Sequence, residues 1–66
     1  MEFTEKARIR LEHWISHNEH HHEEYDAFVD QLEQAGKQES ANYVRQVMEI
    51  SAKGTEYLRK ALQALD

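Results

Sequence analysis

Gln31-Leu32-Glu33-Gln34-Ala35-Gly36-Lys37-Gln38-Glu39-Ser40-Ala41 is the stretch in which the chain must change direction. Proline is absent and the two glycines are Gly36 and Gly54, so Gly36 is the strongest backbone breaker near the middle. A glycine just past a periodic apolar segment reads as the left-handed residue that ends a helix. Upstream, alternating steps of three and four pick out Thr4, Ala7, Leu11, Trp14, Asn18, His21, Tyr25, Phe28, Leu32 and Ala35. Downstream, the same steps pick out Ala41, Val44, Met48, Ser51, Thr55, Leu58, Leu62 and Leu65. Each stripe persists for about four heptads, the pattern of helices packed along their whole length. The spacing predicts an all-α, single-domain hairpin spanning residues 1–66. Its first helix covers about 4–35 with Thr4 as N-cap, a turn lies at about 36–37, and the second helix covers about 38–65.

Folding at Gly36 sets Leu32 opposite Ala41, Tyr25 opposite Met48, Trp14 opposite Leu58 and Leu11 opposite Leu62. In the same register Asn18 meets Thr55, and His21 meets Ser51 and Ala52, so large residues face large ones and polar residues face polar ones. The second helix carries a further row, Tyr43, Val47, Ile50, Gly54, Tyr57 and Ala61, displaced by roughly 100° from its first stripe. That arc is too wide for one partner helix to cover. It implies a homodimer through Tyr43, Val47, Ile50, Gly54 and Tyr57, forming a four-helix bundle, or a face that docks a protein partner. Gly54 in this row reads either as a point of close helix approach or as a weak spot costing about 1 kcal/mol relative to alanine.

Composition excludes several classes of function. A chain of 66 residues without cysteine has no disulfide framework and no thiolate metal site, which leaves association or His/carboxylate metal binding as the available staples. The formal net charge of -5 argues against a nucleic-acid partner. No apolar run is long enough to span a bilayer and no signal-peptide core opens the chain, so the expectation is a cytoplasmic protein without a membrane partner. There is no Gly-rich phosphate loop and no nucleophile beside a positioned base, so an enzyme is not expected. Arg8, Arg10, Arg45, Lys53, Arg59 and Lys60 read as scattered solvated charges.

The chemically unusual stretch lies between Leu11 and Gly36, which contains no lysine or arginine, seven acids and all five histidines. On a helix His13, His17, His20 and Glu24 fall within about 60° of one another, with His21 between that row and the core. His22 falls on the other flank, near Ile15. Histidines at i,i+4 or i,i+3 reach a common cation, and imidazole with carboxylate suits nickel, zinc, cobalt or copper. The candidate ligands are His13, His17, His20, His21 and Glu24. One helix supplies two or three of them, so a closed site needs a second protomer or solvent. Solvated surface histidines, a polar register layer of Asn18 and His21, and a pH switch through His21 and His22 are the competing readings.

The run Arg10-Leu11-Glu12-His13-Trp14-Ile15-Ser16-His17-Asn18-Glu19-His20-His21-His22-Glu23-Glu24-Tyr25 resembles a family of small His/Glu-rich helical-hairpin proteins of anaerobic bacteria and archaea. The family has no settled function and is associated with nickel or cobalt handling. His13, His17 and Asn18 match its recurring positions, with His20 and Glu24 as neighbours, and the triple His20-His21-His22 is richer than its pattern. The resemblance implies a helical hairpin and adds to the metal reading without choosing the metal.

Overall fold

The computed structural model describes residues 2–65; residues 1 and 66, the ends of the expected domain, lie outside them. Two helices, α1 (Phe3–Gln34) and α2 (Gln38–Ala64), pack against each other as an antiparallel hairpin. The hairpin measures 51 × 16 × 10 Å over its Cα atoms. Among the described residues, no helix is long and apolar enough to cross a membrane.

The reversal is built as the sequence requires. Gly36 has φ +76°, the left-handed region that a Cβ disfavours. The Lys37 amide donates to the Leu32 carbonyl at 2.8 Å and the Gly36 amide to the Glu33 carbonyl at 3.0 Å. These two bonds are a Schellman motif, which satisfies carbonyls that the end of α1 would otherwise leave bare. At the opposite end α1 starts at Phe3 with Glu2 as N-cap and no side-chain capping bond. Thr4, expected as the cap, lies instead within the first turn, because the helical ladder already begins with Lys6 N–H donating to the Glu2 carbonyl.

The α2 stripe packs as expected: Ala41 and Thr55 are buried, and Val44, Met48, Ser51, Leu58, Leu62 and Leu65 are half-buried. On α1 the shared positions Thr4, Leu11, Asn18, Tyr25 and Leu32 are also half-buried. The intervening positions differ from expectation. Ile15 and Val29 are buried, whereas Trp14 and Phe28 remain 47% and 49% exposed. The expected Trp14–Leu58 pairing is therefore not the core of the hairpin. His22, rather than His21, shares a shallow depression with Ala52. The surface of α2 that faces α1 is small at the buried residues Ala41 and Thr55. Compact branched side chains fit such a seam, whereas indole and phenyl rings are displaced to its rim.

The core is thin. Its buried hydrophobics are Ile15, Val29 and Ala41, and among the described residues no large side chain is fully buried. Of the expected polar positions, Asn18 and Thr55 line one depression, where the Thr55 hydroxyl donates to the Ser51 carbonyl of its own helix at 3.0 Å; His21, expected beside Asn18 in that layer, is not part of it. On one side of the hairpin Arg59 pairs with Glu19 at 2.8 Å and Arg45 pairs with Glu33. Arg45 and Arg59 are thus not the isolated solvated charges the sequence indicated. Exposed pairs contribute at most about 1 kcal/mol each, but two of them tie the helices in register.

Nothing lies within 4 Å of a Cβ built on Gly36, so replacing it tests backbone conformation alone. Gly36→Ala should lower stability by about 1 kcal/mol in urea unfolding, and Gly36→Asn by less. Equal stability of all three chains would contradict the role given to this turn.

Candidate metal centre

A helix turns about 100° per residue, so positions 17, 21 and 24 form one line along α1, and positions 13 and 20 the line beside it. The structure joins the first line through its polar atoms. His17 Nε2 and His21 Nε2 are 2.8 Å apart, and His21 Nδ1 lies 3.2 Å from Glu24 Oε1. His20 reaches the same carboxylate oxygen through Nε2 at the longer distance of 3.5 Å. His13 contributes a ring stacked near His17, with centroids 6.1 Å apart and planes 17° from parallel. Of the five expected ligands, His17, His21 and Glu24 therefore form a continuous chain. His20 stands at its edge, and His13 is joined to it by ring stacking. His22 faces the other side of the hairpin, beside Asp26 and Arg45.

The chain has a definite hydrogen-bond logic. An ionised carboxylate only accepts, so Glu24 beside His21 Nδ1 favours the neutral tautomer with the proton on that nitrogen. In that tautomer the His21 Nε2 is a lone pair, free to accept from His17 Nε2–H. Glu24 thus biases the tautomer of His21, as carboxylates do behind metal-ligating histidines. Among the described residues, no group of three or more His, Cys, Asp or Glu side chains is arranged to hold a metal ion. The donor set of one chain is two imidazole nitrogens with an orienting carboxylate.

This donor set sits in unusual surroundings. In an antiparallel pair, residues one position before the seam residue point to the same side from both helices. Trp14, His21 and Phe28 precede Ile15, His22 and Val29 on α1; Val47, Gly54 and Ala61 precede Met48, Thr55 and Leu62 on α2. His17 and Glu24 continue that face outward on α1, as Tyr43, Ile50 and Tyr57 do on α2. Among the described residues eight large hydrophobics are exposed, and this face carries all of them except Ile9. Its charged residues include Lys6, Arg10, Glu24 and Glu39, with Lys60 over the Tyr57 ring, while the Arg59–Glu19 and Arg45–Glu33 pairs lie on the opposite side. The histidine pair is therefore a polar island in the middle of an apolar face.

Residues 7–65 match the family described as Domain of unknown function (DUF8180). The chain belongs to the DUF8180 family. No match was found among curated proteins or solved structures. The matched segment takes in the Schellman turn, all five histidines and the apolar face, so the DUF8180 domain here is essentially the whole hairpin.

Sequence reasoning placed Trp14, His21 and Phe28 in the DUF8180 hairpin's seam, and so missed that they share an exposed face with the second apolar row. The seven-residue spacing of the three was the available signal. It could not say on which side of the seam they would fall.

Imidazole nitrogen shifts provide a direct check on the site. At neutral pH they should report His21 protonated on Nδ1, and Glu24→Ala should remove that preference while leaving His13 unchanged. An Nε2-protonated His21 in the parent chain would contradict the arrangement.

Proposed function

We propose that this protein is a small, non-enzymatic binder of a divalent transition metal, held between Nε2 of His17 and Nε2 of His21. The observation that carries this reading is the 2.8 Å separation of those two nitrogens on one helix face. Two imidazoles bound at about 2.0–2.1 Å with their nitrogens this far apart meet the ion close to a right angle. That is the cis angle of square-planar or octahedral coordination, which suits Ni²⁺ or Cu²⁺ better than a tetrahedral zinc site. The ion takes the place of the hydrogen bond between the two rings, the His17 proton moving from Nε2 to Nδ1 so that both Nε2 lone pairs are free, and Glu24 keeps the His21 lone pair directed outward. The acid-only segment around the site attracts cations.

Two side-chain donors hold an ion exchangeably, which suits delivery, storage or sensing in the cytoplasm better than a permanent structural role. The likeness to His/Glu-rich hairpin proteins associated with nickel or cobalt points the same way. A second reading, an interaction module for a protein partner, rests on the concentration of exposed apolar side chains on one face.

Titration calorimetry of the untagged chain should show saturable Ni²⁺ binding. His17→Ala and His21→Ala should each weaken binding by at least about tenfold, with Glu24→Ala causing a similar or smaller loss. His13→Ala should leave binding within about twofold of the parent, because its ring adds only stacking. Unchanged affinity in the His17→Ala/His21→Ala chain would refute the assignment.

A further inference from the structure

The apolar face is symmetric along its length. On α1, Trp14 and Phe28 lie seven residues either side of His21. On α2, Val47 and Tyr57 lie five residues either side of position 52, and Ile50 and Gly54 lie two either side. Positions 21–22 and 52 stand at one level of the hairpin, since His22 and Ala52 share a depression. Both rows are therefore centred on the same cross-section. We infer that two copies of this chain associate through this face about a two-fold axis at the His21 level, α1 against α1 and α2 against α2. The His21 rings of the two chains then meet at the axis and share one metal site. The inference rests on the metal-binding reading above.

Such an axis runs across the hairpins and reverses one relative to the other, so it sets Trp14 against Phe28 of the second copy. On the α2 side the bulk of Ile50 meets the missing side chain of Gly54. Within one chain nothing lies within 4 Å of a Cβ built on Gly54, so the single hairpin gives this helical glycine no packing role. The second copy supplies one. An axis at His21 sets the His21 rings of the two copies face to face, with the midpoints of the two His17–His21 pairs about 6 Å apart along the helices, so the ion on the axis is held by the two His21 rings.

The area is adequate as well. A face of 51 × 16 Å is roughly 800 Å², the share each partner contributes to a standard stable interface. Its charges Lys6, Arg10, Glu39 and Lys60 lie toward the ends of the hairpin, so the middle of the face is charge-poor as the centres of such interfaces are. A hairpin with three small or branched buried hydrophobics also has reason to seek more burial.

The test combines sedimentation of the full chain, with and without NiCl₂, with calorimetric stoichiometry and cross-linking. The expected result is a dimer, tightened by Ni²⁺, that binds one ion per two chains. Ile50→Glu, an exposed position, should leave helicity unchanged by circular dichroism but give a monomer whose Ni²⁺ affinity is at least tenfold weaker. The chain lacks cysteine, so Ala7→Cys and Ala35→Cys, fourteen residues either side of His21, report orientation. Oxidation of the two variants mixed should yield the mixed disulfide, and either alone should yield little dimer. A monomer that binds Ni²⁺ overturns the shared site and leaves the metal reading standing. A dimer that cross-links as described but takes up no Ni²⁺ overturns the metal reading and the shared site together. Cross-linking no better in the mixture than in either variant alone overturns the antiparallel arrangement.

Discussion

Everything in this hairpin depends on one residue adopting a positive φ. Gly36 lets α1 stop, lets Lys37 and Gly36 return their amides to the carbonyls of Leu32 and Glu33, and sends α2 back along α1 without a spacer. So short a connection leaves little freedom in register. Once the turn is set, Ala41 is carried into the seam, Arg45 falls beside Glu33, and about three turns of α1 further on Ala52 reaches the level of His22. The cross-section containing the histidines is thus fixed by a backbone angle well away from any imidazole.

The parts of this architecture legible in the sequence are those governed by periodicity. The two helices, the glycine turn, the α2 stripe and the Asn18–Thr55 layer follow from spacing alone, since apolar residues at three-and-four intervals have few ways to escape water. The side of the α1 stripe that turns inward was not legible. Ile15 and Trp14 are adjacent, and so are Val29 and Phe28; either of each pair satisfies the pattern. The choice is made by how α1 meets the small residues of α2, which is a property of two surfaces at once. The Arg59–Glu19 and Arg45–Glu33 pairs were hidden for a similar reason, because their partners lie in different helices and only the final register joins them. Of the candidate ligands, the joining of His17 to His21 was visible as an i,i+4 spacing. The orienting role of Glu24 needed the observed ring geometry.

The rotation of α1 changes what the histidine cluster means. With Trp14 and Phe28 inside, the imidazoles would be a polar fringe on a finished hairpin. With those rings at the rim, His17 and His21 stand within the apolar side of the molecule, and the salt-bridged side carries the solvated character. A polar pair amid exposed rings is costly to cover unless its nitrogens find a partner as they leave water. A metal ion or a matching pair of rings meets that requirement; a plain hydrocarbon surface does not. Any surface that covers this face must therefore offer those nitrogens a partner.

The hairpin is fastened by a tight turn at one end and by nothing covalent at the other. Val29, Ala41 and the Arg45–Glu33 pair gather near the turn, whereas Phe3, at the far tip, is 79% exposed. Local opening is consequently graded, like a clothes peg, with amide exchange fastest where Phe3 and Leu65 meet and slowest beside Gly36. The imidazole pair lies between these extremes, at the midpoint of the lever.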